Sequence, residues 1–224
     1  MRRGGAREED GPLIQEIKRK AGKLDGRTLR RIAMSYAVNR GIGKKGRDGD
    51  THAEGFARLL NNQSPWPSDM IERANRCAEV VREAQRKGYT KKLEASAVTK
   101  FSWFAQPAGW TVFDSITARA MGIGGTSADV RMLNFYRRLV ERNFSDVAKE
   151  IQQAPDVHRL MDLHGTRVLD KLMMLRGADP TWRENTVTRC RDFLHLLPDA
   201  WRQKVEEAAE CVARRVDTSH LLNR

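Results

Sequence analysis

A few side chains between Ser96 and Gly122, in the stretch SAVTKFSWFAQPAGWTVFDSITARAMG, could carry chemistry. Asp114 follows the apolar residues Trp110, Val112 and Phe113 and stands where a helix is expected to open. A carboxylate there lies at the positive end of the helix dipole, which favours its ionised form. Lys100 sits among Val98, Phe101, Trp103 and Phe104, and Ser96 lies four residues before it on the same helix face. A lysine in such company either snorkels its ammonium to the surface or is held inside for a purpose. Asp114 has a plain reading too, as an N-cap, and Ser115 could serve as the cap instead. Spacing alone leaves these readings open.

Helices must position these groups. Apolar residues recur at helical spacing, and no stretch alternates with the period of a strand. The pattern predicts an all-α chain of about ten helices. The first follows Pro12, the second covers about 27–40, and the third starts near His52. Ser68 is the expected N-cap of a long helix that runs from Asp69 to about Lys87 and stops at Gly88. A helix over about 93–104, a tight loop and a helix from Asp114 to the glycines at 122–125 hold the candidate site. Further helices are expected around 128–143, after Ser145, after Pro155, around 181–197 and after Pro198. The first ten residues read as flexible, and 11–224 as one domain with a central cleft.

Composition narrows the function. The 224 residues carry 41 Lys and Arg against 29 Asp and Glu, a net charge of +12, with a pI near 10.0 and a mean hydropathy of −0.64. A polyanionic partner follows, with nucleic acid the first expectation and an anionic membrane surface the second. No apolar run approaches the ~18–20 residues of a membrane span, and the N-terminus lacks the apolar core of a secretory signal. Cys77, Cys190 and Cys211 are odd in number and widely spaced, so neither a disulfide framework nor a cysteine-bound zinc is expected, and all three read as core residues of helices. A cytoplasmic monomer is the resulting expectation. His158 and His164 lie six apart, which does not place two ligands on one helix face. No metal and no cofactor is expected.

The order helix, short loop with Pro and Trp, apolar-apolar-Asp, then a helix with an Arg resembles the signature region of helix-hairpin-helix DNA glycosylases. The matching stretch is VFDSITAR, residues 112–119. The wording TKFSWF…WTVFDS is most similar to a bacterial branch with an 8-oxoguanine-glycosylase-like fold, and within it to phage-defence enzymes that remove modified cytosines. The resemblance covers about thirty residues. It implies that Asp114 stabilises the oxocarbenium-like sugar or activates water as an N-glycosidic bond breaks. Family members that also cut the strand use a lysine that forms a Schiff base. Lys100 is the candidate, with Lys91 and Lys92 as rivals, because the family lysine opens the helix nearer 92–96. If Ser96 occupies that place, the enzyme is monofunctional.

The rest of such a site can be assigned only by type. Trp110, then Trp103 and Phe104, are candidates for the pocket that receives a flipped base, with Ser96 and Asn39 as polar members. Lys44 and Lys45 in GIGKKG, Lys91 and Lys92 with the Thr90 hydroxyl, and Arg119 are candidates for DNA contacts. The family hairpin is missing from its usual place, since only RKGYTKK (86–92) precedes the helix, and GIGKKG lies far upstream. A non-catalytic helical DNA-binding protein explains the charge and the helices equally well.

Overall fold

The computed structural model describes residues 10–43, 51–125, 127–153, 165–219 and 221. Among these the chain is all-α. The described residues form eleven α-helices, and the only β-type pairing among them is an isolated antiparallel bridge between Ile42 and Thr90. The chain divides into two compact units where the sequence reads as one domain. The first falls within Met1–Asp114 and Gly125–Asn134, the second within Ser115–Gly124 and Phe135–Arg224.

The first unit holds α1 (Asp10–Arg19), α2 (Gly26–Ser35), a 3-10 turn (Asn39–Gly41), α3 (Thr51–Asn61), α4 (Met70–Arg86) and α5 (Ala95–Ala105). Its hub is α5, on which α1, α2, α3 and α4 all pack. The reason is compositional. A helix that is apolar on every side must be surrounded, and nine of the eleven α5 residues are buried. Phe101 meets Phe56 of α3 edge-on, with ring centres 5.5 Å apart.

The ends of these helices follow local rules, two of which the sequence hides. Asp69, not Ser68, caps α4, accepting from the Glu72 N–H at 2.8 Å. Helix α2 stops at Ser35 rather than near Arg40. Ala37 turns left-handed (φ 55°), and the Val38 and Ala37 N–H groups donate back to the Ala33 and Met34 carbonyls. This is the closure usually made by glycine. At Gly88 the same closure ends α4, as the sequence predicts, with Gly88 at φ 71°.

The second unit holds α6 (Ser115–Ala120), α8 (Phe144–Gln153), α9 (Gly165–Gly177), α10 (Pro180–His195) and α11 (Asp199–Ser219). Helix α7 (Ala128–Glu141) contributes to both units. The core of the second unit includes Phe135, Tyr136, Leu139, Phe144, Ile151, Leu169 and Met173. α8 begins at Phe144, where the sequence predicts a start after Ser145, and the start expected after Pro155 lies outside the described residues. Helix α9 packs on α6 and α8 through two glycines. A Cβ on Gly177 would lie 1.9 Å from the Ile116 carbonyl oxygen, and one on Gly165 1.9 Å from that of Ala148. Gly177→Ala is therefore expected to destabilise the protein by about 1–3 kcal/mol, since the backbone clash outweighs the higher helix propensity of alanine. Thermal unfolding checks this, and a variant melting at or above the wild type contradicts it.

Candidate functional site

The loop from Gln106 to Asp114 is fastened to the underside of α5. Thr99 is the first fastener: its hydroxyl accepts from the Phe113 N–H at 3.2 Å, and its carbonyl accepts from Trp110 Nε1 at 3.2 Å. Arg73 of α4 is the second. This arginine is buried to 1% exposure. It donates to Ser102 Oγ at 2.9 Å and to the carbonyls of Ser102 and Gln106 at 2.6 and 2.7 Å. Its guanidinium lies over the Trp110 ring at 4.6 Å and the Trp66 ring at 5.7 Å. A cation at the last carbonyls of α5 also meets the negative end of that helix. Gln106 Nε2 donates to the Trp66 carbonyl at 3.0 Å, which ties the loop to the chain before α4.

This fastening buries Trp110, Thr111, Val112 and Phe113. Asp114 follows them, half-buried, at the residue before α6. The loop thus buries its apolar residues as an anchor and leaves Asp114 half-buried at its end. The aromatic candidates for the base pocket have the opposite fate. Trp103, Phe104 and Trp110 are all interior, with Trp103 and Phe104 in edge contact at 4.9 Å.

Lys100 is held inside and does not snorkel to the surface. It is 6% exposed, and its Nζ donates to Ser96 Oγ at 2.6 Å, one helical turn earlier. The ammonium stands 6.0 Å from the centre of the Tyr36 ring, and Tyr36 meets Phe104 edge-on. Tyr36 and Ser96 are both half-buried, so this pair of polar groups reaches the surface of the unit. Asn39 lies close in sequence to Tyr36 but exposed, in the 3-10 turn.

Glu94, one residue before α5, completes the polar surroundings of the helix start. Its Oε1 is buried without a hydrogen bond among the described residues and lies 3.9 Å from Lys92 Nζ. Burial raises the Glu94 pKa above the ordinary 4.5, and the charges of Lys92 and Lys100 oppose that rise. The sign of the linkage follows. An acid whose folded pKa is raised binds more protons folded than unfolded, so its contribution to stability falls as pH rises through the window just above 4.5. The stability of wild type minus that of Glu94→Gln is therefore expected to decrease across that window. Denaturant titrations of both proteins at a series of pH values check this, and a difference that rises with pH contradicts it.

The two basic segments that the sequence keeps apart meet here. The Gly43 N–H donates to the Tyr89 carbonyl at 2.8 Å, and the Lys91 N–H to the Gly41 carbonyl at 3.0 Å. The GIG of 41–43 therefore lies along the YTK of 89–91, at the entry to α5. Side chains close in on both glycines: a Cβ on Gly41 would lie 2.1 Å from Glu94 Cδ, and one on Gly43 2.6 Å from His52 Cδ2, so a substitution at either would have to move that side chain. The guanidinium of Arg30 also donates to the Gly43 carbonyl. Lys91 and Lys92 are exposed beside this contact. The Thr90 hydroxyl is turned inward and donates to the Lys92 carbonyl at 2.9 Å, so it is committed to the loop rather than offered to a phosphate. Lys44 and Lys45 lie outside the described residues.

The remaining candidates scatter. Arg119 is exposed in the last turn of α6, in the second unit. A surface cavity of about 400 Å³ opens between α3 and α4, with Leu59, Gln63, Glu79 and Glu83 in its lining and none of the predicted site residues. His158 and His164 lie outside the described residues, among which no three His, Cys, Asp or Glu side chains converge as metal ligands. Cys77 is a core residue whose thiol is pushed up to about 12 by burial, whereas Cys190, expected in a core, is exposed. No described helix is long and apolar enough to cross a membrane.

Sequence reasoning missed Arg73, Glu94 and Tyr36. Arg73 had a signal, since it occupies a slot of the apolar face formed by Met70, Ala74, Cys77 and Val81. No family model, curated protein or solved structure matches the chain.

Proposed function

We propose that this chain is a DNA N-glycosylase, similar to the helix-hairpin-helix enzymes with an 8-oxoguanine-glycosylase-like fold. It flips a modified or damaged base out of double-stranded DNA and hydrolyses its bond to the sugar. The observation that carries this reading is the placement of Asp114. It follows the four buried residues Trp110 to Phe113, on a backbone pinned to α5 through Thr99, and is itself half-buried. A carboxylate so fixed can face a sugar without having to be reorganised. As the C1′–N bond breaks, its electrons leave with the base and positive charge spreads over C1′ and the ring oxygen. Asp114 stabilises that charge or takes a proton from the water whose oxygen bonds to C1′.

Lys100, bonded to Ser96 and set later in its helix than the family lysine, leaves the attack to water, so the enzyme is monofunctional. Exposed Lys91 and Lys92, beside the GIG segment, serve the phosphates. The favoured setting is defence against phages, by excision of hydroxymethylated or glucosylated cytosine. Base-excision repair is the other. A panel of duplexes bearing 8-oxoguanine, uracil, alkylated purines or these cytosines tests the reading. One of them is expected to yield an abasic site that breaks only with alkali. Breakage without alkali overturns the monofunctional assignment.

A second reading has an observation of its own. Trp103, Phe104 and Trp110 are packed as core residues rather than as walls of an open pocket. That favours a non-catalytic helical DNA-binding protein in which Asp114 is only a cap. Tight binding with no product from any duplex in the panel would select it.

A further inference from the structure

We propose that Ser96, backed by Lys100, is the general acid that hands the departing base its proton, an inference that rests on the glycosylase reading above. Breaking a base–sugar bond loads both of its ends. Positive charge develops on the sugar, the end to which Asp114 is assigned. The base takes the electron pair, and it leaves more readily when a proton meets that pair. Lys100 is the one charged residue of α5, nine of whose eleven residues are buried. An ammonium at 6% exposure is costly to bury, and a methionine would fill the same space without that cost. Packing therefore does not account for the lysine, whereas service to a group that reaches the surface does. Ser96 is that group: it is half-buried, and its Oγ accepts from Lys100 Nζ at 2.6 Å.

The direction of this bond decides the chemistry. An ammonium has three donors and no acceptor, so Nζ donates and Oγ accepts. The serine keeps its own hydrogen, and among the described residues that hydrogen has no acceptor. A bond received from a cation makes the hydroxyl a stronger donor. A nucleophilic serine needs the reverse arrangement, with a neutral base ready to take its proton. Lys92, Glu94 and the Tyr36 ring are the other polar neighbours at this end of α5. Attraction between Glu94 and Lys100 favours the charged form of both. Ser96 is therefore placed as an acid, with the ammonium as its proton source.

This acid and the Asp114 carboxylate belong to one turn of the first unit. The Thr99 hydroxyl donates to the Ser96 carbonyl at 3.3 Å and accepts from the Phe113 N–H at 3.2 Å. Asp114 is the next residue. The sugar then sits at Asp114 and the base at Ser96. As the C1′–N bond breaks, its electron pair stays on the base. The Ser96 O–H gives its proton to a heteroatom of the base while Oγ takes one from Lys100 Nζ. The water oxygen bonds to C1′, and the water proton goes to Asp114. Afterwards Asp114 loses a proton to solvent and Lys100 regains one, so the net change is one water added across the bond. Ser96 touches the base and is the catalytic residue, whereas Lys100 acts through it.

Single-turnover base release tests this on the duplex of the panel that wild type cleaves, and on the same duplex with a ring-halogenated analogue of the released base. Ser96→Ala is expected to slow release of the natural base by about 10²-fold, the lower end for general acid catalysis. The loss should shrink on the halogenated base, because an easier leaving group needs less help from an acid. Asp114→Asn, acting at the sugar, should lose the same factor on both bases. Ser96→Thr keeps a hydroxyl and should recover most of the rate. Lys100→Met should repeat the pattern of Ser96→Ala and melt no lower than wild type. Ser96→Ala at the wild-type rate, or slowed equally on both bases, overturns the proposal and leaves the glycosylase reading standing. A Lys100→Met that unfolds or melts well below wild type makes the lysine a structural residue and also overturns it. No base released by wild type from any duplex overturns this proposal together with the reading beneath it.

Discussion

Asp114→Asn is expected to reduce the rate of base release by about 10²–10³-fold or more, the loss typical of removing one preorganised electrostatic group. The substitution keeps the shape of the side chain and its ability to cap α6. It removes the negative charge that would oppose the oxocarbenium-like sugar, and the basicity that would activate water. The apolar residues before it, buried from Trp110 to Phe113, stay in place. DNA affinity should therefore change little, because the phosphate contacts proposed above are lysines elsewhere in the chain. Single-turnover base release and fluorescence anisotropy on the same duplex separate the two effects. A variant with wild-type rates would reduce Asp114 to a cap.

The second large effect is structural. Arg73→Met is expected to cost about 3–5 kcal/mol, near the upper end for a single substitution. Methionine fills much of the volume but donates nothing. The Gln106 carbonyl and the Ser102 hydroxyl would then lose the Arg73 donor, and the Ser102 carbonyl would keep only the Gln106 N–H, at roughly 1–3 kcal/mol for each group left unsatisfied. Trp110 would also lose the cation over its ring. For a chain of this size the midpoint of thermal unfolding should fall by about 10 °C. Arg73→Lys should rescue little, since one ammonium cannot span three acceptors and lie flat on a ring. A fall of less than about 2 °C on Arg73→Met would contradict this account of how the loop is anchored. Because the loop carries Asp114, the same variant should also lose base release at temperatures where it remains folded.

What the sequence reveals depends on how local the cause is. Amphipathic spacing locates the helices, and Gly88 marks the end of α4 because glycine enters the left-handed region at little cost. The end of α2 is hidden because Ala37 makes the same turn without being the residue that announces it. Asp69 and Ser68 are equally good caps by type, and only the bond to the Glu72 N–H distinguishes them. The candidate site divides in the same way. Lys100 and Ser96 are four apart on one helix, so their hydrogen bond is legible from spacing.

The pairing of 41–43 with 89–91 is not legible, because it joins segments far apart in sequence with a single bridge and no strand pattern. The fate of Trp110 is a third case. A tryptophan on a loop reads as a recognition residue, yet Arg73, over 30 residues earlier, draws its ring into the interior. Exposure was the missing quantity there, as it was for Cys190.

The most direct test of the central claim is mass spectrometry of the free base released from DNA. DNA carrying glucosylated or hydroxymethylated cytosine, 8-oxoguanine, uracil or alkylated purines would be incubated with the full chain and with Asp114→Asn. A free modified base released by the wild type and absent with the variant is the predicted result. Tight binding of the same DNA with no free base from either protein would contradict it.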